Sequence, residues 1–455
     1  MIARWRGAGI LIACAWLIPG VFASPGFRAG VARIDITPQA PIWMAGYGSR
    51  THPSTGVAQR LWAKALAIDD GRGGRAVIVT TDLIGLPRTI TDFVAARALK
   101  EYGLDRPQLL FNSSHTHTGP MVSTVLQTMF ELTPADTSVI DRYSRQLSED
   151  LFTLIGAAMG REAPAKLSYG LGKAHFGVNR RERTPEGIQI GVNPMGPVDP
   201  DVPVLRVTGQ DGKLIAVVFG YACHNTTLNG SFYQIAGDYA GFAQADLEQQ
   251  HEGTVAMFVQ LCAGDQNPIP GGTLALAEQH GRELAGEVDR VLSAKLTPVN
   301  TPIRGAFRTI ELEFALHTRE TFEKELRESK GAQARRASAM LKTYDDRQPV
   351  HHVSYPIQAI RFDKSLTILA LGGEVVVDYS LRVKREYPGN LIVAGYSNDV
   401  MSYIPTSHVL KEGGYEAVES MFYYGMPGPY ADDVEDRVMA GIHQVMKAVG
   451  ITERQ

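Results

Sequence analysis

The chain has 455 residues, 44% of them hydrophobic and 20% charged, with a formal net charge of −3. That balance suits a folded chain with a large core and excludes disordered or fibrous classes. Lys and Arg (45) nearly match Asp and Glu (48), and no run of like charges breaks the pattern, so no electrostatic footprint for nucleic acid is present.

Arg4 and Arg6 open an N-terminal segment whose apolar run, 7–18, is broken by Pro19-Gly20 and followed by Val21-Phe22-Ala23. It reads as a signal peptide over 1–23, too short for a comfortable membrane anchor, with cleavage near Ala23. An exported protein, periplasmic or secreted, with no transmembrane anchor after cleavage is the expectation. Cys14 would leave with that segment; Cys223 and Cys262 remain, either paired or as buried free thiols.

Beyond residue 27 the pattern is mixed α/β. Residues 31–36 alternate like a half-buried strand and stop at Thr37-Pro38. Strands are predicted over 63–68 and 76–81 around a Gly-rich turn, a helix over 90–101, and a buried strand over 108–112. A helix over 138–159, strands over 214–221 and 254–261, and a helix over 274–292 follow. The strongly charged segment 321–342 reads as one solvated helix, 366–371 and 391–396 as strands, and 434–449 as a closing helix. No repeat or low-complexity linker divides these elements. The expected fold class is α/β, mixed β-sheets with flanking helices, in one catalytic domain over 24–455.

Several apolar strands end in small polar clusters, where rigid scaffolds place chemistry. His115-Thr116-His117 follows the strand at 108–112, and histidines at i and i+2 of an extended segment share a face. His224 follows the strand at 214–221, and Glu374 follows the strand at 366–371 across Gly372-Gly373. Asp82, Asp238 and Asp265 are placed similarly. Each residue alone also fits ordinary hydrogen bonding or an exposed turn. Together they point to a divalent metal site with histidine and carboxylate ligands, which does not by itself name a reaction.

Six segments in order carry a resemblance: Ala29–Pro38 with Met44–Tyr47, Leu61–Ala65 with Thr80–Leu83, Ser114–Pro120, Asn179-Arg180, Gly237–Gly241 and Gly395–Asn398. In these the chain resembles the neutral/alkaline non-lysosomal ceramidase family. The resemblance implies a neutral-ceramidase-like catalytic domain and a Zn2+ ion held by His115, His224, Glu374 and Tyr403, with His117 a near neighbour. It also implies that Tyr415 stabilises the oxyanion and that Arg180 lines the site. The implied activity is cleavage of an N-acyl amide by metal-activated water, on a small-molecule or lipid-like substrate. Two departures stand out. Asn267, in Gly264-Asp-Gln-Asn-Pro268, occupies the position of the family's serine; it is no nucleophile, but its amide can orient substrate or donate to an oxyanion. With the sequence given to Gln455, the C-terminal immunoglobulin-like domain typical of the larger ceramidases is not expected, and the expected substrate need not be ceramide. The same centre acting on an ester or lactone, or a secreted binding protein without catalysis, are the competing readings. The segments 184–200 and 423–430 are expected to shape the pocket. Oligomeric state is not legible.

Overall fold

The computed structural model describes residues 26–454, together with the isolated Ile2. The predicted signal peptide, including Cys14, therefore lies outside the described residues apart from Ile2. Two β-sheets face each other. The larger runs in the order Val255–Gln260, Leu214–Tyr221, Asp201–Gly209, Ala163–Lys173, Phe27–Asp35, Trp62–Asp69, Arg75–Thr81, Leu109–Ser113, with Thr297–Val299 paired to the edge of Ala163–Lys173. The smaller runs Ile303–Glu313, His352–Phe362, Leu366–Leu371, Leu391–Ala394.

The inner faces share one core: Ile78, Leu110, Val218 and Met257 pack against Ile360, Ile368 and Ile392. Outside the larger sheet, Val79 and Phe111 meet Val94, Leu151 and Ile155 of helices Arg88–Tyr102 and Pro134–Met159. Outside the smaller one, Ile357 and Leu369 meet Tyr379 and Ile442 of helices Val377–Glu386 and Val434–Ala448. Strands such as Leu366–Leu371 are buried along their whole length, because helices cover one face and the other sheet the second. The α/β expectation with mixed sheets and flanking helices holds, as a four-layer α/β/β/α arrangement.

Three neighbouring strand pairs are parallel: Arg75–Thr81 with Leu109–Ser113, Leu214–Tyr221 with Val255–Gln260, and Leu366–Leu371 with Leu391–Ala394. Isolated bridges Asn112↔Ser397 and Leu261↔Ala394 join the two sheets just where these strands end. The loops leaving the carboxyl ends of strands from both sheets are thus drawn to one place.

Several sequence expectations need correction. The charged segment 321–342 is two helices, Arg319–Glu328 and Gly331–Asp345, because Ser329 and Lys330 are extended and Gly331 adopts φ +61°. The strand expected over 391–396 stops at Ala394, and Tyr396 turns with φ +49°. Residues 184–200 are not wholly irregular: Gly187–Asn193 forms a hairpin with Gly177–Thr184. Helix Asp238–Gln250 carries no apolar stripe that marks it, because its buried face mixes Ala240, Gly241 and Ala243 with Asp238, Tyr239, Gln244 and Leu247; it lies close on helix Leu274–Leu292, where a Cβ on Gly281 would come 2.5 Å from Phe242. Cys223 and Cys262 are both buried and free.

Candidate metal centre

His115 leaves the end of strand Leu109–Ser113 in a left-handed conformation, φ +62°, with its backbone N–H on Leu83 O at 2.9 Å. Such a conformation is costly for a residue with a Cβ, on the order of 1–3 kcal/mol, and is kept where the surroundings enforce it. The segment is therefore not an extended strand; His115 and His117 still face one another, their Nε2 atoms 3.1 Å apart. His115 Nδ1 lies 2.6 Å from Ile84 O, and His224 Nδ1 lies 2.7 Å from Ala263 O. A carbonyl only accepts, so in both rings Nδ1 carries a proton and Nε2 is the nitrogen turned inward, free to meet a metal.

Glu374 opens a two-residue parallel pairing with Tyr403. Gly373 makes this possible: its φ is +72°, and a Cβ there would stand 2.7 Å from Ser402 O. The pairing sets Glu374 and Tyr403 side by side. Glu374 Oε2 is 3.0 Å from His115 Nε2 and 3.1 Å from His224 Nε2, and Tyr403 Oη is 3.2 Å from His224 Nε2. Ligand atoms of His115, His117 and His224 all fall within 4.8 Å of one another.

The Nε2 atoms of His115 and His224 thus converge on Glu374 Oε2, with the Arg180 guanidinium 3.2 Å from His224 Nε2. Burial lowers His224 to about 4, so it is neutral near pH 7. Burial would raise the Glu374 carboxyl, but His115 and His224 outweigh it and hold it well below the usual range. Deprotonated at Nε2, as metal binding requires, the two rings and the carboxylate offer a nitrogen and oxygen donor set to a cation. The residues fit a divalent cation, and among the described residues this is where three histidines gather.

A second layer fixes these groups. Tyr424 donates to Glu374 Oε1 at 2.5 Å, leaving Oε2 for the cluster. Arg180 donates to Tyr403 Oη at 2.9 Å, to Glu416 Oε1 at 2.8 Å and to Asn267 Oδ1 at 3.3 Å. Burial pushes the Tyr403 phenol well above its ordinary value while Arg180 pulls it back. Glu416 also accepts from Arg181 at 2.7 Å, one carboxylate holding two buried guanidiniums. Tyr415 stands edge-on to Tyr403, ring centres 5.5 Å apart, and is half-buried, as are Tyr47 and Tyr423.

Two variants probe this layer. Replacing Tyr424 with Phe leaves a buried carboxylate oxygen without its donor, and metal affinity should fall about 10–100-fold in a chelator competition. At Gly46, φ is +97° and a Cβ would sit 2.4 Å from His117 Nδ1. Gly46→Ala should displace that ring and destabilise the fold by ~1–3 kcal/mol, read from urea unfolding.

The structure brings together His115, His117, His224, Glu374, Tyr403, Arg180, Asn267 and Tyr415. It does not bring in three strand-end carboxylates. Asp82 accepts from Trp62 N and Gln244, Asp238 caps Leu228 N and Tyr239 N, and Asp265 binds Val377 N and Asn179. Burial raises Asp265 to about 7. Glu416, Tyr396 and Tyr424 went unrecognised in the sequence; only the aromatic density of 423–430 pointed toward Tyr424.

The fold and this cluster define an α/β/β/α protein with a buried candidate metal centre at its strand ends. The chain belongs to the neutral/alkaline non-lysosomal ceramidase family: the family's N-terminal model matches residues 27–283. It is 26% identical over 284 residues to the neutral ceramidase of Pseudomonas aeruginosa, a match covering 59% of this chain and 41% of that protein. Against the neutral ceramidase of Mycobacterium tuberculosis the identity is 25%, over 55% of this chain and 41% of that one. The aligned region thus spans about two fifths of the length of these relatives. The crystal structure of the Pseudomonas aeruginosa neutral ceramidase superposes with a TM-score of 0.74 at 20% identity, covering 94% of this chain and 75% of that chain. A ceramidase complexed with C2 gives 0.72 at 19% identity, covering 93% and 75%.

Proposed function

We propose that the protein is a zinc-dependent hydrolase of N-acyl amide bonds, acting on a lipid-like substrate that need not be ceramide. The observation that carries this reading is the convergence of His115 Nε2, His224 Nε2, Glu374 Oε2 and Tyr403 Oη within about one ligand sphere. Nitrogen and oxygen donors of this kind suit zinc among the common divalent ions. His115, His224, Glu374 and Tyr403 would hold the ion. When bound, it would supply a Lewis acid and a water primed for attack at neutral pH.

The chain's own groups account for the rest. Tyr415 donates its hydroxyl to the oxygen that gains charge as the acyl carbon is attacked; loss of one such donor typically costs about 10²–10³ in rate. Burial, with His115 and His224 nearby, holds His117 well below its ordinary value, so it enters the reaction neutral. Its Nδ1 has no hydrogen-bond partner, and the ring can carry the proton from the attacking water to the departing amine. Arg180 orients Tyr403 and Asn267. Ile190 (52% exposed), on the strand paired with the one that carries Arg180, and Met195 (91% exposed), just beyond it, are exposed apolar side chains on this hairpin.

Side-by-side rates on a matched long-chain amide and ester, with and without zinc, test the reading. Amide turnover that zinc restores after chelation supports it; ester turnover alone contradicts it. Export is proposed on the N-terminal segment alone, and N-terminal sequencing of secreted material should find a start just after Ala23.

A further inference from the structure

Asn267 stands in the site with only the oxygen of its amide engaged by the protein. Its backbone is fixed in the short strand Gln266–Pro268, paired with Val178 of strand Gly177–Thr184. The Arg180 guanidinium, which can only donate, lies 3.3 Å from Asn267 Oδ1, and Thr226 Oγ1 lies 3.4 Å from the same oxygen. That geometry fixes the amide: the oxygen turns to Arg180 and the NH2 group turns away. The neighbouring Asn179 and Asn225 spend their NH2 groups on protein acceptors, Pro197 O and Asp265 for the first, Ser114 O and Gln260 for the second. Asn267 Nδ2 has no partner among the described residues and is not among their buried unpaired atoms, so it is open to solvent. The Arg180 nitrogen that meets Asn267 Oδ1 also lies 3.2 Å from His224 Nε2, which places the Asn267 side chain beside the candidate metal centre.

We infer that Asn267 selects the amine side of the substrate, using its two N–H groups to bind an acceptor-only oxygen, a carboxylate or carbonyl, next to the scissile amide. The inference rests on the hydrolase reading above and narrows it to N-acyl amides of amino-acid type. A hydroxyl side chain here would both donate and accept. With its oxygen already engaged, Asn267 only donates. A substrate hydroxyl accepting from it would still need a partner for its own hydrogen, whereas a carboxylate has acceptor oxygens and nothing to donate. Sites built around such complementarity discriminate far more strongly than apolar pockets do.

The test compares N-dodecanoyl-alanine with N-dodecanoyl-alaninol, which differ in carboxylate against hydroxyl. Both kcat/KM and direct binding by calorimetry are measured for the wild type, Asn267→Ser and Asn267→Asp. The wild type should favour the carboxylate probe by about tenfold or more in both readouts. Asn267→Asp, which removes the donors and adds a like charge, should lower that ratio at least about tenfold, with Asn267→Ser intermediate. A ratio that stays the same in both variants overturns the inference, as does a wild type that favours the alcohol. The two readings fail separately. Cleavage of both probes with a variant-independent ratio removes the role of Asn267 and leaves the hydrolase; Asn267-dependent binding of the carboxylate probe without cleavage removes the hydrolase and leaves that role.

Discussion

His224→Ala is expected to abolish activity and metal retention together. The ring is fully buried, with Nδ1 bound to Ala263 O and Nε2 facing Glu374 and Tyr403. Alanine removes an inward lone pair and leaves Ala263 O without its donor. Loss of groups that only support a metal ligand costs about 10–100-fold in affinity, so loss of a ligand itself should exceed ~100-fold. Zinc content after dialysis and turnover of a long-chain amide are the two readouts. A folded variant that keeps both removes His224 from the ligand set.

Glu416→Gln should produce the largest loss of stability of any single change around the site. Glu416 is 1% exposed and receives Arg180 at 2.8 Å and Arg181 at 2.7 Å, both guanidiniums also buried. Burial alone would raise this carboxyl, yet the two arginines hold it below its ordinary value. A neutral amide of the same shape leaves two buried cations poorly compensated, and breaking such a group typically costs about 3–5 kcal/mol. The midpoint of urea unfolding should fall accordingly, and activity with it, since Arg180 orients Tyr403 and Asn267. Because the carboxyl stays ionised when folded below its unfolded pKa, its contribution is present above that pKa and is lost as pH falls through the lower folded value. The variant should therefore show a flatter loss of stability on acidification than the parent. A variant as stable as the parent at pH 7 would contradict the clamp.

Elements with strong local patterns were legible in the sequence. Helix Leu274–Leu292 and strands Leu214–Tyr221 and Leu366–Leu371 follow their predicted bounds residue for residue, because an apolar stripe or an unbroken apolar run with clear stops is a local signal. The long antiparallel strands Ile303–Glu313 and His352–Phe362 pair with one another, yet the first is mostly half-exposed and neither carries a run that marks it. In the site, His115, His224 and Glu374 stood out because each follows an apolar strand, and the structure draws those strand ends together. Tyr403 has no such mark; it sits beside Glu374 through a pairing of residues far apart in the chain. Glu416 and Tyr424 were illegible for the same reason, since their partners Arg180 and Glu374 lie 236 and 50 residues away. The left-handed conformations at His115 and Tyr396 likewise follow from the tertiary fold and leave no local trace.

Metal stoichiometry on the purified protein after extensive dialysis decides whether these side chains form a metal centre. About one zinc per chain is expected, lost in His224→Ala and regained by the stripped parent when zinc is returned. A parent protein that retains no metal, and takes none up when zinc is offered, would contradict it.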